Sequence, residues 1–392
     1  MIYIMLVISL LMLWLDYRAV TLCLGERWER VRRWTIYVLW FFDSLPFIWW
    51  ALSFKLLWED NPMWMSDVSL WIGYIYLLTV VARSPLMLSL AYIRRWWSHG
   101  VTLLLGVGAL YLFIHGMLIT RTDYDVRHVI LRSHRLPHSF DGYRILQLSD
   151  LQYGTMIHPE QEMERIVDIC NNQRADLVAF TGDLINVRRE EVAPAIKHQM
   201  RRLHARDGVV AVTGNHDRGV YVRDTLSITT ASTTAAVIGM MRDAGWKVLD
   251  DDSAYIRRGD DSISVTGISF SPILQEQRHS SSLPDIGITK AYKRVDPRTF
   301  NITLSHMPQL WDKILEESSA DLTLAGHVHS MEIKLPIGKR GLSPAQLLYK
   351  RWSGLYEKQG RWLYINDGIA AAMFPMRLGA RPEITIIEMY GE

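Results

Sequence analysis

The sequence is poor in cysteine, in net charge and in repetition. Its 392 residues include only two cysteines, Cys23 and Cys170, far apart along the chain, which argues against a disulfide framework. The formal net charge is +2, and no run concentrates Lys and Arg as binding to a phosphate backbone requires, so nucleic acid is not an expected partner. No internal repeat or low-complexity tract occurs, which removes solenoids from consideration. The N-terminus lacks a basic leader and a small-residue cleavage site, so its apolar run is expected to remain as a membrane span and not to be removed as a signal peptide.

Apolar and aromatic residues are abundant, and they are unevenly placed. Hydrophobic residues make up 49% and charged residues 21%, yet most of the 15 Trp fall in the first third, as membrane helices with interfacial anchors would place them. Four apolar stretches stand out, at Ile2–Leu15, Trp34–Phe54, Ser69–Tyr92 and Val101–Ile119. The last three reach the ~20 residues needed to cross a hydrocarbon core, and the first does so with Asp16 and Tyr17 at the interface. The expected organisation is a four-span α-helical membrane domain over residues 1–121 and one globular domain over residues 122–392.

The first connection carries Arg18, Arg27, Arg30, Arg32 and Arg33 and the third Arg94 and Arg95, whereas the second, Trp58–Pro62, is acidic. The positive-inside rule then puts loops one and three in the cytoplasm and the globular domain outside it, in an integral protein of a bacterial inner membrane. Arg121 and Arg127, which follow the last span, pull the other way. Asp43 and Arg83 fall inside spans, where a structural ion pair is the favoured reading over a role in lipid handling.

In the globular part, apolar runs repeatedly stop at polar residues. Tyr143–Leu148 ends at Ser149-Asp150, Leu177–Phe180 at Thr181-Gly182-Asp183, and Val209–Val212 at Thr213-Gly214-Asn215-His216-Asp217. A helical pattern lies between the first two, near Pro159–Asn171. Further on, Ile263–Ile268 reads as a strand, Asn301–Leu304 runs into Ser305-His306, and Leu322–Ala325 into Gly326-His327-Val328-His329. This is the grammar of an α/β sheet whose ligands gather at the carboxyl ends of strands. Thr225–Thr234 and Gln275–Asp285 read as exposed, substrate-facing loops.

Each residue taken alone has an ordinary explanation: an Asp after a strand is commonly a helix cap and Gly-Asn commonly a turn. Together, Asp150, Asp183, Asn215, His306, His327 and His329 form the mixed oxygen and imidazole set that Mn, Fe or Zn accepts.

The ordered segments Asp150-Leu151-Gln152, Gly182-Asp183-Leu184-Ile185-Asn186, Gly214-Asn215-His216-Asp217, His306 and Gly326-His327-Val328-His329 resemble the calcineurin-like metallophosphoesterase family. Among its members the chain is similar to membrane-associated or exported ones acting on lipid-linked phosphates, which share segments like Ser343-Pro344-Ala345 and Arg377–Glu383. The resemblance implies a four-layer α/β/β/α sandwich and two divalent metal ions, with manganese favoured and iron, zinc or magnesium as alternatives. It implies that Asp150 and His329 bind one metal, that Asn215, His306 and His327 bind the other, and that Asp183 bridges them, so that a hydroxide between the metals attacks phosphorus. His216 would lie near the scissile phosphate, with Asp217 orienting it or serving as a helix cap.

The family usually has His where this chain has Gln152, a weaker and neutral ligand that suits a harder ion such as Mn²⁺ or Mg²⁺. Asn186 stands where an Asp is frequent. The implied activity is hydrolysis of a phosphomonoester, phosphodiester or pyrophosphate bond of a membrane lipid or lipid-linked substrate. The segment Gln346–Trp352 reads as a helix packed on the sheet, with docking on lipid headgroups as the other reading. The competing functions are a membrane sensor or binding protein with a degenerate phosphoesterase domain, and a nuclease or cyclic-nucleotide activity, which needs a more basic cleft.

Overall fold

The computed structural model describes residues 2–24, 26–57, 63–93, 95–221, 230–271, 287–338, 340–372 and 375–392. The acidic loop Trp58–Pro62, Arg94 and the expected loop Gln275–Asp285 lie outside the described residues. So does the first half of Thr225–Thr234, while its last residues open a helix, Thr230–Asp243. The chain divides into two compact units, one within residues 1–117 and the other beginning at Leu118.

The first unit is helical: α1 (Ile2–Leu24), α2 (Glu29–Leu57), α3 (Met63–Leu88) and α4 (Trp96–Leu118). Among the described residues three helical segments are long and apolar enough to cross a membrane, Leu6–Leu24, Trp71–Ile93 and Trp96–Thr122. The expected second span is helical throughout as α2, but its side chains beyond Trp49 lie partly outside the described residues, so it is not among these three. α1 also runs past its expected end and takes in Asp16, which is buried. Arg83 explains this, since it lies 3.2 Å from Asp16 and pairs with Asp43 as well. Buried carboxylates persist where a cation faces them. α3 and α4 approach closely at Gly106, where any Cβ would overlap the Ala82 carbonyl.

The second unit holds two six-stranded sheets. The first orders its strands β1 (Asp125–Ser133), β12 (Glu383–Gly391), β2 (Tyr143–Leu148), β3 (Leu177–Phe180), β4 (Val209–Ala211) and β5 (Lys247–Val248). The second orders them β10 (Gly354–Lys358), β11 (Arg361–Ile365), β9 (Leu322–Ala325), β8 (Phe300–Ser305), β7 (Asp261–Ile268) and β6 (Asp252–Arg258). β2 through β5 run parallel, as do β7, β8, β9 and β11.

The period-2 alternation of strands sorts the side chains into layers. Ile145, Leu177, Ala179 and Val210 face inward with Ile263, Val265, Ile302, Leu304, Leu322 and Leu324, filling the space between the sheets. Leu146, Leu148, Val178 and Phe180 face the other way, against α5 (Pro159–Asn172), α6 (Pro194–Arg202) and α7 (Thr230–Asp243). On the far side of the second sheet lie α8 (Ile288–Tyr292) and α9 (Trp311–Glu317), whose Ile288 and Ile314 are fully buried. The expected four-layer α/β/β/α sandwich is therefore the observed architecture. α5 shows why its segment folds as it does: Pro159 opens it, Glu160 and Glu162 occupy its positive first turn, and Met163, Ile166, Val167 and Cys170 recur on one buried face.

Gln346–Trp352 does not form the expected helix. Pro344–Leu347 is a single 3₁₀ turn, and Gln346, Leu347 and Leu348 are exposed and not packed on the sheet. Pro344 fixes the first position, and Ser343 Oγ accepts the Ala345 N–H (3.0 Å), which favours a capped turn over a longer helix.

Candidate metal centre

Five parallel strands deliver the site from both sheets. Asp150 and Gln152 follow β2, Asp183 follows β3, Asn215 follows β4, His306 follows β8, and His327 and His329 follow β9. The backbone at these points is unusual. Asp150, Gln152, Asp183, His327 and His329 all have positive φ, between 34° and 72°, a conformation that costs a non-glycine residue roughly 1 kcal/mol or more and gathers where geometry is imposed by function. The flanking glycines are dictated by space. A Cβ on Gly214 would overlap the Asp183 carboxylate, and one on Gly326 would overlap Ser149 Oγ and the Asp150 carboxylate.

The side chains converge. His306 Nε2 lies 3.1 Å from Asp183 Oδ2, 3.0 Å from Asn215 Oδ1 and 4.0 Å from Asp150 Oδ1. His329 Nε2 lies 2.9 Å from Asp150 Oδ1. Ligand atoms of Asp183, His306 and His327 all fall within 4.8 Å of one another, and the His306 and His327 rings stand 5.0 Å apart at 71°. Gln152 is buried, with Nε2 3.5 Å from Asp183 Oδ2. The structure thus brings together all seven residues that the sequence nominates as metal ligands.

Their surroundings leave the facing nitrogens available. His306 Nδ1 is 2.8 Å from the Thr181 carbonyl and His329 Nδ1 is 3.1 Å from the Ala370 carbonyl. A ring that donates its Nδ1–H to a carbonyl keeps the lone pair on Nε2, the usual arrangement of a metal-binding histidine. Without cations the cluster balances its charge by protons. Burial alone would push His306 down, but Asp183 outweighs it and raises the imidazole to about 9. Burial and then the charge on His306 push His327 down to about 3. Burial works to raise the Asp150 carboxyl, yet His329 and then His306 hold it well below the usual carboxylate range.

Fit to divalent cations can be judged from the donors themselves. The set contains two carboxylates, two amides and three imidazoles, and no Lys or Arg. Gln152 Oε1 is buried with no hydrogen-bond donor among the described residues, a state that costs about 1–3 kcal/mol unless something satisfies it. Mixed O/N donors around a shared carboxylate suit first-row divalent ions, so these residues fit the group.

His216 sits at the edge of the cluster, half-buried like His327, whereas the other ligands are buried. Its backbone N–H donates to Asp183 Oδ1 (2.9 Å), its Nδ1 contacts the Asn186 carbonyl, and its Nε2 lies 3.9 Å from Asp183 Oδ2. Asp217 neither orients this ring nor caps a helix. Its carboxylate accepts the backbone N–H groups of Asp183 (2.8 Å), Gly214 (2.9 Å), Leu184 (2.8 Å) and Ile185 (3.3 Å), clasping the loop after β3 to the loop after β4. The turn after Asn215 sends neighbouring side chains in different directions, so the ring is oriented by Asn186 and the carboxylate holds backbone. Burial and then Asp183 raise the Asp217 carboxyl to about 7.

Sequence reasoning overlooked Arg377. Fully buried, it directs Nη1 at the Asp367 (2.9 Å) and Ala380 (3.1 Å) carbonyls and Nη2 at the Ala370 carbonyl, with His329 Nδ1 3.2 Å away. It therefore braces the same carbonyl that orients His329. Its only sequence signal was its place in the segment Arg377–Glu383.

Residues 143–331 match the model of the calcineurin-like phosphoesterase family. Over 279 residues the chain is 28% identical to a protein of Bacillus subtilis (strain 168) described as the uncharacterized metallophosphoesterase YkuE, covering 71% of this chain and 87% of that one. It is 28% identical over 282 residues to a transmembrane protein with metallophosphoesterase domain from Bos taurus, covering 70% of this chain and 59% of that one. It is 23% identical over 297 residues to the UDP-2,3-diacylglucosamine pyrophosphatase LpxG of Chlamydia trachomatis, covering 63% of this chain and 83% of that one.

Proposed function

We propose, from the premise that residues 143–331 form a calcineurin-like metallophosphoesterase domain, that this chain is a membrane-anchored phosphoesterase acting on a phosphomonoester, phosphodiester or pyrophosphate of a lipid-linked substrate. Members of that family use divalent metal ions. Asp150, Gln152 and His329 would hold one, Asn215, His306 and His327 the second, with Asp183 shared and manganese the favoured ion. Cations held there supply Lewis acidity toward a phosphoryl oxygen and lower the pKa of bound water.

The chain's own residues do the rest. Asp183 and Asp150 fix the spacing of the donors, while Asp217 locks the two loops that carry Asp183 and Asn215. Asn186 holds the His216 ring by Nδ1, which turns Nε2 toward the site, where the imidazolium form would present a second N–H to a phosphoryl or leaving-group oxygen. The observation that carries the reading is the approach of His306 Nε2 to both Asp183 and Asn215, with no Lys or Arg among the donors.

The lipid-linked substrate is supported by three apolar helices ahead of the domain and by the likeness to LpxG, named as a pyrophosphatase of an acylated nucleotide sugar. In this reading residues 1–121 are the membrane domain and residues 122–392 the catalytic one, placed outside the cytoplasm of a bacterial inner membrane by the arginines of the first connection. The test is hydrolysis of p-nitrophenyl phosphate and bis-p-nitrophenyl phosphate with added Mn²⁺, followed by a detergent-solubilised panel of lipid phosphates. Turnover on the panel supports the reading. Metal binding with no turnover on any substrate favours the sensor with a degenerate domain.

A further inference from the structure

Beyond residue 122, nine large apolar side chains are exposed among the described residues, and six of these are Met331, Leu335, Ile337, Leu342, Leu347 and Leu348. A lone exposed Leu is ordinary. A cluster of this kind within a stretch of eighteen residues, with Leu347 82% exposed and Leu348 61% exposed, marks an interaction surface.

The cluster is built, not frayed. The Leu335 N–H donates to the Leu342 carbonyl (2.8 Å) and the Leu342 N–H to the Leu335 carbonyl (2.9 Å), closing a hairpin that carries Ile337. The Lys334 N–H donates to the Leu378 carbonyl (2.9 Å), which ties the base of the hairpin to the segment holding Arg377. Ser343 Oγ donates to the Ser330 carbonyl, and Ala345 is buried with Val328 and Trp352. The projecting apolar tips thus stand on a base continuous with His327 and His329, and Tyr349 faces the His327 ring at 6.4 Å.

Charge and connectivity identify what covers this surface. Arg340, stacked on Tyr356 at 4.0 Å, and Lys350, which reaches Asp312 at 3.4 Å yet keeps 78% of its side chain exposed, flank the apolar tips, while Glu332 is buried. In the proposed reading the spans tether this domain to a bilayer by a short connection. The last apolar segment ends at Thr122, with only Asp123 and Tyr124 before β1, and Arg121 is buried in an ion pair with Glu162 of α5 (2.6 Å).

We propose that residues 331–338 and 340–348 form a membrane-docking lip, whose Ile337 and Leu347-Leu348 insert among the acyl chains of a bilayer while Arg340 and Lys350 meet anionic headgroups. The purpose of the docking rests on the proposed function: it would set the metal centre at headgroup depth, where a lipid-borne phosphate lies. The docking itself does not depend on turnover.

The test uses the full chain with Cys23→Ser, reconstituted into vesicles of equal parts phosphatidylcholine and phosphatidylglycerol. An environment-sensitive fluorophore is attached at Leu347→Cys or Ile337→Cys, and at Ile130→Cys on β1, an exposed apolar position (62%) outside the lip. With doxyl-labelled lipids the probes at 347 and 337 should lose most of their emission and the probe at 130 almost none. In a chain carrying Leu347→Glu and Leu348→Glu, quenching at 337 should fall several-fold. Quenching at 347 and 337 no greater than at 130 overturns the proposal. So does a blue shift without quenching that rises with the ratio of protein to lipid, because it would assign the surface to a second copy of the chain. Neither readout uses catalysis, so failure here is distinguishable from failure of the phosphoesterase reading.

Discussion

Two buried polar clusters lie side by side in the second unit, and they balance charge in opposite ways. In one, Asp367 and Glu383 are fully buried and met by permanent cations: Lys334 Nζ at 2.6 Å and Arg127 Nη1 at 3.4 Å from Asp367, and Arg127 Nη1 at 2.5 Å from Glu383. Tyr364 and Ser330 hydroxyls complete that set at 2.6 Å each. In the other, Asp150 and Asp183 are as deeply buried, yet among the described residues the ion-pair partners within 4 Å are imidazoles, joined by the Gln152 amide and the Ser149 hydroxyl. A cluster closed by Lys and Arg is a finished structural joint. One closed by histidines can exchange its protons for cations, because neutral imidazole is a ligand and guanidinium is not. The comparison teaches where chemistry resides: in the cluster whose charge balance is replaceable.

Substitutions can break or sharpen that contrast. Asp183→Asn removes the carboxylate shared across the metal centre and should lower kcat/KM on bis-p-nitrophenyl phosphate by about 10³-fold or more, about 4 kcal/mol of transition-state stabilisation. Thermal unfolding should show little loss, because a buried negative charge is removed from beside Asp150. If stability collapsed while activity survived, the two clusters would not differ as described. His216→Ala should retain metal, measured by plasma mass spectrometry, and lose about 10²-fold to 10⁴-fold in kcat, the range for a positioned general acid. Loss of one metal instead would move His216 into the ligand set.

Lys334→Met is the complementary case. It leaves Asp367 buried beside a single remaining cation and should cost about 3 kcal/mol in stability, read from chemical denaturation, with metal content unchanged. The smallest effect is expected from Gln152→His, which replaces an unsatisfied amide oxygen by imidazole. It should shift metal preference from Mn²⁺ toward Zn²⁺ by about tenfold in relative affinity, and no shift would leave Gln152 without a metal role.

The centre was more legible in the sequence than its support. β2, β3 and β9 have the expected bounds because apolar runs of central parallel strands end abruptly at polar loops, and those loops carry the ligands. β1 and β12 were not anticipated. They pair with each other in parallel, and β12 also pairs antiparallel with β2, a closure between distant segments that local periodicity does not encode. Asp217 was misjudged because adjacency in sequence suggested contact with His216, whereas the turn after β4 sends the two side chains apart. Arg377 escaped notice because a buried arginine that braces carbonyls has no spacing signature. The helix expected at Gln346–Trp352 failed because Ser343 and Pro344 end local structure in one turn, leaving Leu347 and Leu348 exposed.

The replaceable cluster is expected to hold cations. Metal stoichiometry of the full chain, purified and loaded with Mn²⁺, measures it directly by plasma mass spectrometry. Two ions per wild-type chain and fewer in Asp183→Asn are the expected result. A wild-type chain that binds none, or an Asp183→Asn chain that still binds two, would contradict it.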